Sequence, residues 1–525
     1  MGDEEPLAQE SDASLLDAIH RWGDAFVAYA CGLTLADIDR MREIFEPIPA
    51  DVDRVCTQLV DIERTAHRTS WNTRPIETLG EAAGRLGTLP ADEEHTYLNM
   101  MRIAAGGAVP ARDDSDPVLA ALRWLARDAL PPYLLLEPRV GGPECTPFER
   151  TLGRGALFDH HAQGHPALDA FATAASADPI LAPLVADHPT YLVSSVSGGR
   201  LLSWSTLALD LMESAWEQQL RIGDADPALA VDRLSDVLNE LRAGLSGSKL
   251  EFPVVVGLRG VAFDEIGEWG VQGGRLRTPT LAESKLTDED DPIHLVFETS
   301  TPGTLRTATE IPAHVHVHLP NWQREPWHEA RRSALEIGLA VALTYDAATA
   351  PAVSLAWTAV YGLPGEPDRE HLAAGRLGEP VSLDQEQRVQ LARWLKLIRT
   401  NGRDLPEQAL QRAHSAISNR SHYADALIDA VTAFDALFGG GSPLRMQAAT
   451  AWLLAPSDAA ERRRIYKRMV AIYELRSASV HNGKPVTQRP WEEATQLLIR
   501  VLRTLVADKT LCGDKQRGNR LLLGG

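Results

Sequence analysis

The chain has 525 residues, 44% hydrophobic and 24% charged, with a formal net charge of −20. That length supports two to four domains with sizeable cores, and no apolar run approaches the ~18 residues of a membrane-spanning helix. A uniformly acidic chain would repel nucleic acid and anionic membranes, so the distribution of charge matters more than its sum.

The opening "MGDEEPLAQESDAS" is acidic and lacks the basic and apolar regions of a signal peptide. Cys31, Cys56, Cys145 and Cys512 are widely separated and form no CxxC. That pattern fits a reducing cytoplasm and argues against a disulfide framework or a zinc finger.

Residues 1–12 read as a disordered acidic tail. From 13 to 246 the pattern is mostly helical. The helical stretches are "LLDAIHRWGDAFVAYA", "LADIDRMREIFEPI", "DVDRVCTQLVDIERTA", "DPVLAALRWLARDAL", "LALDLMESAWEQQLRI" and "PALAVDRLSDVLNELRAGL". Between 247 and 380 the period shortens. "KLEFPVVVGLRGVAFDE", "EWGVQGGRLRTPT", "PIHLVFETS", "AHVHVHLPNW" and "VSLAWTAVYG" read as strands, with "PWHEARRSALEIGLAVALTY" as a helix and "GLPGEPDRE" as a linker. This predicts a small antiparallel β module, to which the family resemblance given below adds a sensing or regulatory role. Residues 384–508 are helical again and read as an all-α bundle, punctuated by "GGGSP". Residues 509–525 read as a flexible tail. The predicted class is α+β, mostly α.

Residues 461–520 hold fourteen Lys/Arg against six Asp/Glu, a local balance of +8, which leaves −28 for the remainder. Inside this basic segment lies "YELRSASVHNG", with Arg476 five positions before His481. Ile465, Met469 and Ile472 form an apolar stripe at helical spacing, and Arg476 continues its phase. A charged side chain aimed at a buried face needs a partner, a ligand or a subunit interface. His481 lies about 140° further round and ~7.5 Å along the axis if the helix persists. A histidine at a helix C-terminus suits proton transfer to and from a ribose 2′-OH, and an arginine suits holding the phosphate. That chemistry needs no metal. With 45 Arg and 16 His, the bare spacing arises about 1.4 times by chance, and a looser match occurs at Arg154–His160.

The context adds specificity. "ADALIDAVTAFDALFGG", "SPLRMQAATAWLLA" and "IYKRMVAIYELRSASVHNG" resemble successive helices of a HEPN domain of the ApeA-like kind, over roughly residues 384–508. The resemblance implies a metal-independent ribonuclease with RNA as substrate, working as a homodimer through the HEPN bundle. It implies a role in anti-phage defence by abortive infection, with a phage-derived trigger. It makes Arg476 and His481 the catalytic pair and Ser477 a supporting residue. Many members carry Asn where this chain has Ser477. No cofactor and no membrane are expected.

Other candidates are less framed. His314, His316 and His318 in "HVHVH" would share one face of a strand, as zinc ligands can, and would serve a metal-dependent hydrolase. "FDHHAQGH" offers Asp159, His160, His161 and His165 without an HExxH helix. The glycine-rich stretches lack phosphate-loop forms. Twelve tryptophans read as core or interface. A HEPN bundle that only dimerises, as a scaffold, is the alternative to a nuclease.

Overall fold

The computed structural model describes residues 11–44, 47–69, 82–83, 85–87, 94–134, 165–186, 191–194, 200–202, 204–223, 226–265, 267–284, 286–287, 292–307, 325–361, 368–371, 380–419 and 422–522. The chain is a mostly helical α+β protein, with an antiparallel sheet between two helical parts.

The N-terminal part contains α1 (Ser11–Trp22), α2 (Asp24–Cys31), α3 (Leu35–Ile44), α4 (Ala50–Thr69), α5 (Tyr97–Ala104), α6 (Pro117–Leu134), α7 (Pro166–Ala177), α8 (Ala182–Ala186), α9 (Leu207–Ile222) and α10 (Leu229–Leu245). The stretch "LLDAIHRWGDAFVAYA", read as one helix, breaks at Gly23 into α1 and α2. Helices α5 and α7 were not legible as such. Two large buried side chains are paired: Trp22 Nε1 donates to the Leu59 carbonyl at 3.0 Å and the Tyr29 hydroxyl to Asn99 Oδ1 at 2.8 Å. Arg242 on α10 clamps Asp116 before α6 and, at 2.6 Å, Asp178 after α7. Cys31 and Cys56, distant in sequence, meet as buried free thiols with their sulfurs 3.7 Å apart.

The strands are β1 (Tyr191–Ser194), β2 (Arg200–Leu202), β3 (Leu250–Arg259), β4 (Val261–Phe263), β5 (Glu268–Val271), β6 (Gly274–Arg277), β7 (Leu295–Thr307), β8 (Ser354–Val360), β9 (Asp368–His371) and β10 (Val381–Leu383). Eight form one sheet in the order β2-β1-β7-β3-β8-β9, with the β5–β6 hairpin joining β7 through β6. Strands β4 and β10 pair in parallel. The N-terminal region, read as mostly helical, is so and also supplies β1 and β2 to the sheet. One correction follows. The end of the expected linker "GLPGEPDRE" is strand β9, paired with β8. The expected strand "AHVHVHLPNW" lies outside the described residues.

Alternation on β3 and β7 gives the sheet two faces. On one, Arg277 reaches Glu298 at 2.8 Å and forks onto Glu283 of α11 (Leu281–Ser284) at 2.6 and 2.7 Å. Arg221 of α9 also reaches Glu298, at 2.7 Å, tying the N-terminal helices to the sheet. Burial disfavours the Arg277 cation, but the two glutamates outweigh it and raise its pKa.

The other face, with Phe252, Val254, Val256 and Phe297, packs on α12 (Glu325–Thr344). Residues 336–343 of α12 are all buried. The helix also packs on α13 (Gln385–Thr400), which opens with a capping box between Asp384 and Gln387. Then come α14 (Glu407–His414), α15 (Tyr423–Leu437), α16 (Pro443–Leu454), α17 (Ala459–Asn482), α18 (Gln488–Ala507), α19 (Lys509–Gly513) and α20 (Arg517–Leu522). Sheet face, α12 and bundle share one continuous hydrophobic core, so the packing does not divide at residue 384. The tail from 509, expected to be flexible, is helical to Leu522. Buried Arg517 donates there to the carbonyls of Leu437, Leu511 and Cys512 at 2.6 to 2.9 Å.

His414 closes α14 and is 1% exposed, against α12. A Cβ on Gly338 would meet its Nε2 at 2.7 Å, so α12 must present a glycine here. Neither ring nitrogen has a hydrogen-bond partner of normal geometry. Burial pushes the imidazole down to about 4, and the nearby Val353 backbone offsets this only in part. A depressed histidine contributes stability that is complete above its unfolded value of 6.5 and is lost as pH falls toward 4. Between pH 7 and pH 5 the wild type should therefore lose about 2 kcal/mol more than His414→Leu. Urea melts of both proteins at the two pH values check this, and equal losses would refute it.

Candidate active site

Helix α17 is set at both ends by its own sequence. Asp458 caps the start, accepting from the amides of Ala460 and Glu461. Gly483, with φ of 63°, ends it in the left-handed conformation. The Gly483 amide donates to the Ser479 carbonyl and that of Lys484 to Ala478, which satisfies the last turn. Arg476, Ser477 and His481 are thus all helical, and the spacing inferred from ideal geometry applies.

The buried residues of α17 are Ile465, Met469 and Ile472. Arg476 lies in line with them. Its Nε is buried without a hydrogen-bond partner, and among the described residues no carboxylate pairs with its guanidinium. His481 is exposed, about 140° round the helix and ~7.5 Å further along. Ser477 is half-buried between them in sequence. One copy of the chain therefore does not bring Arg476 and His481 to a common point. Their side chains leave opposite flanks of one helix.

The setting explains why this helix end is available. Helix α16 has 12 residues and α17 has 24, so at 1.5 Å per residue they span ~18 and ~36 Å. The two are consecutive and packed together, so the second half of α17 overhangs α16. From Tyr473 onward α17 has no fully buried residue, and Val480 is 45% exposed.

The structure sorts the other candidates. His314, His316, His318, Arg154, Asp159, His160 and His161 lie outside the described residues. His165 is a fold residue. Its Nδ1 caps α7 by accepting from the Ala167 amide, its Nε2 lies 3.4 Å from Asp128, and its ring meets Trp124 edge-on. Among the described residues no group of three or more His, Cys, Asp or Glu is placed to hold a metal ion. No described helix is long and apolar enough to cross a membrane.

A cleft of about 340 Å³ between residues 347–352 and α18 is lined by Gln488, Trp491, Glu492 and Gln496. Sequence reasoning missed it, because its walls come from segments over a hundred residues apart. It carries no cationic side chain and so no phosphate grip.

No family model, curated protein or solved structure matches the chain.

An arginine that supports the fold and one that does not should respond differently to an apolar replacement of similar length. Arg517→Met orphans three carbonyls and should cost about 3 kcal/mol. Arg476→Met removes an unpartnered buried nitrogen and should leave stability unchanged or slightly raised. Denaturant midpoints of the two variants check this. A large loss in Arg476→Met would make Arg476 a structural residue.

Proposed function

We propose that the chain is a metal-independent endoribonuclease of the HEPN kind, an ApeA-like effector that cuts RNA in abortive-infection defence against phage. The observation that carries this is Arg476: a half-buried cation with no partner, on the overhanging end of α17, five residues before an exposed histidine. A buried guanidinium without a carboxylate is costly unless it is completed by an anion or a second subunit.

Both completions meet in a homodimer. Two copies that appose the overhanging ends of α17 would bring two Arg476 and two His481 to one cleft, from which RNA is cut. The 2′-OH attacks the adjacent phosphorus, forming the 2′ O–P bond of a cyclic phosphate while the P–O5′ bond breaks. The His481 imidazole of one copy takes the 2′ proton, and the same histidine of the second copy supplies a proton to the leaving 5′ oxygen. Arg476 holds the non-bridging oxygens as charge builds on them. Ser477 is a supporting residue at the dimer seam. The remainder of the chain, with its −28, repels RNA and restrains the enzyme in the cytoplasm until a phage-derived trigger acts.

The separation of Arg476 and His481 on one copy favours a second reading, a non-catalytic bundle that only dimerises. The two divide on one experiment. Full-length wild type purified from phage-infected cells should cleave single-stranded RNA in the presence of a chelator and leave cyclic-phosphate ends, and His481→Ala should lose at least a hundredfold. Equal cleavage by both would move the chemistry to another site or a contaminant, and none by either with and without phage infection would leave the scaffold reading.

A further inference from the structure

The +8 of residues 461–520 is not one patch. Most of its cations are committed to the fold. Arg462 lies over the Trp452 ring, 3.6 Å from its centroid, and donates to the carbonyls of Ala455 and Pro456. Arg464 pairs with Glu461, Arg468 and Arg489 with Glu493, and Arg520 with Asp514. Arg503 donates to the Leu343 carbonyl, and Arg517 is buried. Lys509 and Lys515 belong to the segment around α19, which packs beside Gly402–Asp404. Apart from Arg462, the cations on or next to the ends of α17 with no ion-pair partner among the described residues are Arg463, Lys467, Arg476 and Lys484, while Arg500 of α18 lies near Glu461. Arg463 spends only its Nε, on the Ala459 carbonyl at 3.3 Å.

Helical geometry places the exposed ones on a line. Arg463 lies eighteen residues before His481, five full turns, hence at the same angle and ~27 Å away. Lys467 lies about 40° off that line and ~21 Å away. Both are exposed, and Lys484 follows the helix end. The solvent face of α17 thus carries two uncommitted cations, then His481, then a third cation. Glu474 shares this face, ~10.5 Å before the histidine, and interrupts the positive run.

We infer that the outer face of α17 is a track for single-stranded RNA, on which Arg463 and Lys467 grip backbone phosphates several nucleotides from the bond at His481. The inference rests on the ribonuclease reading and adds to it where the strand lies. The spacing suits a flexible single strand: separated point charges on one helix face follow a backbone without reading bases. An A-form duplex would instead call for contacts across a wide groove, and none of these residues leaves the one helix face. Glu474 repels phosphate and accepts hydrogen bonds from 2′-OH or base amino groups, so it faces the sugar–base side of the strand between two phosphate grips.

The test uses the full chain with His481→Ala, purified from phage-infected cells so that the restraint is released and RNA is bound but not cut, and fluorescence anisotropy with a single strand of about twelve nucleotides. Arg463→Gln with Lys467→Gln should weaken binding about tenfold at low salt and flatten the slope of log affinity against log salt by about 1.4, two phosphates' worth. Glu474→Gln should strengthen binding severalfold, since a like charge is removed from the track. In the active background the double variant should cut a dinucleotide as the wild type does and lose activity only on the longer strand. Unchanged affinity and slope in the double variant overturn the track, as does weaker binding in Glu474→Gln. Absence of RNA binding by the parent chain, or preferential binding of phosphatidylserine vesicles, overturns it as well. If the track variants behave as expected while His481→Ala cuts like wild type, the track stands and the active-site reading falls.

Discussion

Residues 336–343 of α12 have no solvent face, so this helix is stable only with the sheet on one side and the bundle on the other. Everything C-terminal to β3 depends on that constraint. The β3 residues Phe252, Val254 and Val256 and the bundle residues Leu391, Leu395 and Ile398 belong to the same core because α12 joins them. The buried pair Glu336–Arg399, at 2.9 Å, fixes α12 against α13 in register. A bundle cut out at residue 384 would expose the apolar surface that α12 covers, and so the bundle and the sheet cannot act as beads on a string. Any signal that shifts the sheet is felt directly by the helices that carry Arg476 and His481.

The legible parts of the fold were those written in local chemistry. The bundle helices were readable from their apolar period and from "GGGSP" as a stop, and the structure adds caps at Asp384 and Asp458. The core strands were readable from short, near-continuous apolar runs rich in Val in "FPVVVGLRG" and "VSLAWTAV". The missed elements are held by long-range pairing. Strands β1 and β2 are three or four residues long and exist because β7, at thirteen residues, extends beyond β3 and β6 and needs a further partner. Strand β9 pairs only with β8, and α20 is fixed by Arg517 reaching back to Leu437. The contact of Cys31 with Cys56 depends on the packing of α2 on α4, which no spacing rule reveals.

At the candidate site the sequence showed where Arg476 points, because a helix fixes the phase of its side chains. It did not show which cations are free. That required ion pairs and carbonyl contacts from other helices, such as Glu493 on α18 and Leu343 on α12. Charge counted along a chain overstates charge available at a surface. Here a balance of +8 resolves into scattered residues without an ion pair, and those along α17 are what an anionic strand would meet on that helix.

The contact of Gly338 with His414 carries an evolutionary consequence. A methyl group at 338 and an imidazole at 414 cannot occupy the same space. The two positions form a single unit of variation across the seam between α12 and α14. A lineage that acquires alanine at 338 must first, or together with it, shrink the residue at 414. Drift at 338 alone is closed while 414 holds an imidazole, so this seam changes in linked steps led by 414.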